Sequence, residues 1–153
     1  MRVGLFHPAF DEVGGAELLA IEQLSYLRSS ALDVHLFTLG LNRARWEPRL
    51  DGLPCHLVPK RHWSDLFLAW TETAKLRRRG QRAAAQMRDY DVILAYNYPC
   101  SAMLGMAGIR GRKIWQCNEP PRSLHLRKAY PTLAARIDAR AGPWLDHWSC
   151  RYQ

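Results

Sequence analysis

The sequence predicts an α/β domain with a Rossmann-like, mainly parallel sheet and helices on both faces. Short apolar runs recur at Arg2–His7, Val34–Leu39, Cys55–Val58, Asp91–Tyr96 and Lys113–Cys117. Helical patterns separate several of them, and strand–helix–strand order with crossovers implies parallel pairing. The chain has 153 residues, 48% of them apolar. That length suits a single domain able to bury its own core, and a second domain of equal size does not fit.

Each element has a local reason. Arg2 to His7 is a buried strand that ends at Pro8, and Ala9 to Gly15 is the loop after it. Ala16, Ala20, Leu24 and Leu27 form one stripe, which predicts a helix from Ala16 to Arg28. Val34 to Leu39 is a second strand, stopped by Gly40, and Cys55 to Val58 a third, between two prolines. The polar, turn-rich stretch from Asn42 to Gly52 is expected to be a loop. Ser64 caps a long helix reaching Arg88, with Gly80 expected to weaken or bend its middle. Asp91 to Tyr96 is the clearest buried strand. Pro99 then opens a helix over Cys100 to Ala107, which Gly108 stops. Lys113 to Cys117 is the fifth strand, and Thr132 to Ala141 a last helix.

Composition excludes several classes. No apolar run reaches the ~20 residues that span a bilayer, and the apolar start of the chain is too short for a signal peptide. Cys55, Cys100, Cys117 and Cys150 are widely spaced, which predicts reduced, mostly buried thiols and a cytoplasmic location. No histidine or cysteine pair has metal-ligand spacing, so no metal site is expected. The net charge of +8 favours anionic partners. Lys75, Arg78, Arg79 and Arg82 fall at i, i+3, i+4 and i+7, one helix face suited to peripheral contact with an anionic membrane or simply to water. Without an aromatic-interleaved basic signature, zinc finger or basic zipper, the sequence argues against nucleic acid.

Chemistry in a parallel sheet gathers beyond the carboxyl ends of the strands. Three segments are expected there. The first is the loop from His7 to Glu17, in which Gly14, Gly15, Ala16 and Glu17 open a helix, where backbone N–H groups and the helix dipole suit a phosphate. A tight turn would use the same glycines. The segment is neither a dinucleotide fingerprint nor a P-loop. In the second, Tyr96, Asn97, Tyr98 and Pro99 offer groups that hydrogen-bond and stack on a sugar, or that satisfy their own loop. The third runs from Trp115 through Gln116 and Cys117 to Asn118, Glu119, Pro120, Pro121 and Arg122, polar side chains held by two prolines, in which Glu119 and Arg122 could pair.

Gly14-Gly15-Ala16-Glu17 at the opening, and Asn118-Glu119-Pro120-Pro121-Arg122 after the fifth strand, carry a resemblance. Together they resemble the N-terminal domain of GT-B glycosyltransferases of family 4. The resemblance implies a retaining transferase that moves a sugar from a nucleotide-sugar donor to a saccharide or lipid-linked acceptor. It needs no cofactor beyond that donor, which is a substrate. It also implies that Gly14, Gly15 and Ala16 approach the donor. Glu17, Asn97, Tyr98, Asn118, Glu119 and Arg122 then line the acceptor side of a cleft. The family pattern has His where this chain has Asn118, and Asn hydrogen-bonds but carries no proton at neutral pH. The family's donor-binding second domain has no counterpart in these 153 residues, so the chain is expected to be an incomplete, inactive N-terminal part. Two other readings stay open: a stand-alone binding module without chemistry, and an unrelated Rossmann-like nucleotide binder.

Overall fold

The computed structural model describes residues 1–59 and 72–118. Along the chain these form β1 (Arg2–His7), α1 (Gly15–Ser29), β2 (Asp33–Thr38), α2 (Arg43–Leu50) and β3 (Cys55–Leu57). Then come α3 (Glu72–Gln86), β4 (Val92–Tyr96), α4 (Asn97–Ala107) and β5 (Arg112–Gln116). The strands make one five-stranded sheet in the order β3-β2-β1-β4-β5, and every pairing is parallel. β1 is central, with Val3 opposite Val34 on one side and opposite Val92 on the other. This is the α/β class that the alternating pattern implies.

Two cores follow from the alternation of strand side chains. Val3, Leu5, Val34, Leu36, Leu94 and Tyr96 point to the face covered by Ala20 and Leu24 of α1 and Trp46 and Leu50 of α2. Phe6, Phe37, Ile93 and Ala95 point the other way, to Leu76 and Ala83 of α3 and Cys100, Met103 and Leu104 of α4. At the amino end of the sheet the Arg2 backbone N–H donates to Asp91 at 2.7 Å, tying together residues 89 positions apart.

The structure corrects three local expectations. The stretch from Asn42 to Gly52 is not all loop, because Arg43 to Leu50 is helical. The Asn42 side chain caps it by accepting from the Arg45 N–H, while Trp46 and Leu50, one turn apart, are buried. Burying a large apolar side chain contributes ~1.5–3 kcal/mol, enough to hold a two-turn helix that carries Pro48 in its interior. The second correction is Gly80, which does not interrupt α3. A Cβ there would lie 2.1 Å from the Met103 carbonyl oxygen, so glycine lets α3 and α4 meet at the backbone. The third concerns the thiols: Cys100 is buried, Cys55 is half-buried and Cys117 is exposed.

Strands otherwise match the expected runs to within about one residue, the usual boundary uncertainty. Gly108, at φ 67°, closes α4 in the left-handed conformation typical of a helix end. The expected helix start at Ser64, the last helix and Cys150 lie outside the described residues. Among the described residues no helix is long and apolar enough to cross a membrane.

Candidate functional site

The strand order reverses direction at β1 and β4, and their carboxyl ends flank the crevice where sheets of this kind receive ligands. β1 ends at His7 and β4 at Tyr96. The loop after β1 is fixed from β2: the Phe10 N–H donates to the Gly40 carbonyl at 2.7 Å, and the Asn42 N–H to the Phe10 carbonyl at 2.9 Å. Phe10 is fully buried and stands edge-on to Trp46, ring centroids 4.9 Å apart. An Arg45–Glu12 ion pair closes the outside of the loop. The start of α1 is therefore presented by a rigid frame.

At that start Gly14 is extended, with φ −126° and ψ 171°, and the first helical bond runs from the Leu18 N–H to the Gly14 carbonyl at 3.1 Å. The N–H groups of Gly15, Ala16 and Glu17 precede it and have no intrahelical acceptor. The two glycines differ. A Cβ on Gly15 would meet nothing within 4 Å, whereas one on Gly14 would lie 2.5 Å from a Glu17 carboxyl oxygen. Ala16 is half-buried. Glu17 thus folds back over the first turn, where its negative charge offsets the positive end of the helix.

Beneath Glu17 lies His7, whose side chain is 3% exposed. Its Nε2 is 3.7 Å from Glu17 Oε1, beyond hydrogen-bonding distance. Neither ring nitrogen of His7 makes a well-formed hydrogen bond, and the Ala9 backbone gives it a weak one. Burial pushes the imidazole down to about 4, against a weaker opposite pull from the Ala9 backbone. His7 is therefore uncharged near neutral pH and does not form an ion pair with Glu17. Phe10 and Tyr96 pack against its ring, with centroids at 4.7 and 5.8 Å. Tyr96 donates its hydroxyl hydrogen to Gln23 of α1, and burial pushes that phenol up to about 12.

A second polar group forms where β4 and β5 end. Asn97 sits at φ 51°, a left-handed position that asparagine tolerates better than most residues. Its side-chain oxygen accepts from the Asn118 N–H at 2.9 Å, and Gln116 donates to the Asn118 side-chain oxygen at 3.0 Å. The Asn118 Nδ2 is buried and has no partner among the described residues.

The expected residues are thus divided. Gly14, Gly15, Ala16 and Glu17 stand together at the start of α1, and Asn97 and Asn118 meet across the ends of β4 and β5. Tyr98 goes elsewhere, packing half-buried against the core on the α3–α4 face. Glu119 and Arg122 lie outside the described residues. His7 and Gln116 fall within the first and third expected segments, although the sequence alone assigns neither a role. The signal for His7 was available: a histidine closing an apolar strand immediately before the loop that carries the glycines. The basic side chains of Lys75, Arg78, Arg79 and Arg82 are half-buried, and each already has a partner.

No protein-family model matches the chain, and no curated protein does. Among solved structures, the chain is similar to SsfS6, a glycosyltransferase of Streptomyces sp. SF2575, at 18% identity and a TM-score of 0.43. That match covers 97% of this chain and 46% of the other. It is also similar to the same enzyme complexed with thymidine diphosphate, at 17% identity and a TM-score of 0.44, over 95% and 43%. The chain spans less than half the length of these structures.

Proposed function

We propose that this chain is the acceptor-side N-terminal domain of a retaining glycosyltransferase of the GT-B, family 4 type. It would act on a nucleotide-sugar donor and a saccharide or lipid-linked acceptor. The observation that carries the reading is the start of α1 at the β1–β4 crevice, with first-turn backbone donors that have no intrahelical acceptor and open space over Gly15. Those N–H groups suit developing or resident negative charge on a phosphate or leaving oxygen. Asn97, Gln116 and Asn118 supply donors and acceptors suited to hydroxyl groups, without a proton to give. In this reading Asn118 orients the sugar and contributes no acid–base chemistry. A second α/β domain across the crevice would hold the nucleotide and complete the site.

The test uses the purified 153-residue chain with a panel of nucleotide sugars. No donor consumption above buffer is expected, because half of a two-walled site cannot orient the reactants. Weak binding is expected, and Gly15→Val should abolish it while leaving the fold intact, since the new side chain enters open space. Unchanged affinity in a folded Gly15→Val variant would reduce the loop to a turn and overturn the reading.

A further inference from the structure

His7 is almost wholly buried at the carboxyl end of the central strand, beneath the first turn of α1, and apart from a weak contact with the Ala9 backbone its ring nitrogens make no well-formed hydrogen bond. A neutral imidazole carries one donor and one acceptor, and leaving either unmet indoors is costly. Over the ring lies the Glu17 carboxylate, 3.7 Å away and seated in the space that the absent Gly14 side chain leaves. A small rotation of Glu17 would bring the two within the ~2.7–3.2 Å of a real hydrogen bond.

We propose that His7 and Glu17 form one recognition element, in which the buried imidazole positions the carboxylate to accept a hydroxyl hydrogen from an uncharged polyol. The inference rests on the sugar-transfer reading and names the ligand class on this side of the crevice. A carboxylate accepts from hydroxyl groups and repels phosphate. It therefore divides the start of α1 between two ligand chemistries. Gly15, open and clear of Glu17, faces the anionic part of a donor; Gly14, Glu17 and His7 face an uncharged sugar ring. Glycine is needed at Gly14 to admit the carboxylate, and at Gly15 to admit the ligand. Glu17 touches the polyol, while His7 acts through Glu17 as a positioning residue.

Titrating methyl α-D-glucopyranoside, inorganic phosphate and UDP-glucose into the 153-residue chain by NMR tests this. The glycoside is expected to shift the amides of α1's first turn and the His7 ring nitrogens. Glu17→Gln and Gly14→Ala should each weaken glycoside binding about 10-fold, the size of one lost hydrogen bond to a charged group. Glu17→Gln should tighten phosphate binding. His7→Gln, which keeps an N–H, should retain more glycoside affinity than His7→Leu. Should His7→Leu fail to fold, the Glu17 and Gly14 variants and the wild-type ring-nitrogen shifts still decide. Glycoside binding that ignores Glu17→Gln, or UDP-glucose binding without any glycoside binding, overturns the pair and leaves the sugar-transfer reading standing. No binding of either overturns both.

Discussion

The Met103 carbonyl oxygen occupies the space into which a side chain on Gly80 would project, so α3 and α4 meet backbone to backbone. Gly80→Ala is expected to destabilise the domain by about 1–3 kcal/mol, the usual range for overpacking. The ~1 kcal/mol that alanine adds in helix propensity will not offset it. Urea denaturation checks this, and a variant as stable as wild type would show that the helices separate freely.

His7 makes stability depend on acid. Its folded value of about 4 lies below the ordinary 6.5, so the unfolded chain binds the proton more readily. Stability is expected to fall as pH drops from 6.5 towards 4, with no further loss from this group below that. The full loss is about 3 kcal/mol, from ~1.4 kcal/mol for each pH unit between the two values. His7→Phe should flatten this part of the profile, measured as denaturation midpoints at pH 7 and pH 4.5. An equal slope in the variant would place the acid sensitivity elsewhere.

Asn97 joins a left-handed backbone to a hydrogen bond with the Asn118 N–H at 2.9 Å. Asn97→Ala loses both and should cost about 2 kcal/mol, roughly half from each. Asn97→Gly relieves the backbone part and should cost less than the alanine variant. The reverse order in thermal melts would mean that conformation contributes little here.

The cationic flank of α3 bears on membrane contact. Basic residues near an anionic surface contribute about 1 kcal/mol each. Lys75, Arg78, Arg79 and Arg82 should give less, because all four are half-buried and engaged. Weak adsorption to phosphatidylserine vesicles that vanishes at high salt is expected in co-sedimentation. Equal recovery from neutral and anionic vesicles would rule out a lipid role for this flank.

What the sequence made legible was local. Buried strands announce themselves as apolar runs between turn residues, and Arg2–His7 carries that mark from end to end. Helix α2 lacked such a mark, because Trp46 and Leu50 are its only buried residues and Pro48 argues against a helix. Those two side chains are buried among residues far away in the chain, Phe10 standing against Trp46. Gly80 was read as a flaw because helix propensity sees one helix at a time, and its reason is a carbonyl on another. The glycine–glutamate start of α1 was legible from its residue types. His7 could be placed beside it by position, but its part shows only in the fold, where the buried ring makes no well-formed hydrogen bond. Strand order was equally hidden, being decided by which crossovers pack on which face.

The seam between β1 and β4 pairs two segments far apart in the chain, and the crevice opens at the carboxyl end of that seam. Neither segment owns the site. A molecule lodged there would grip both, and so act as a clasp across the middle of the sheet. Because it would bind only the joined state, at a hundred times its dissociation constant it would add about 2.7 kcal/mol to the stability of that state. The melting temperature of the chain is thus a direct gauge of crevice occupancy, and screening sugars and nucleotides by thermal shift would identify the ligand without any assay of turnover.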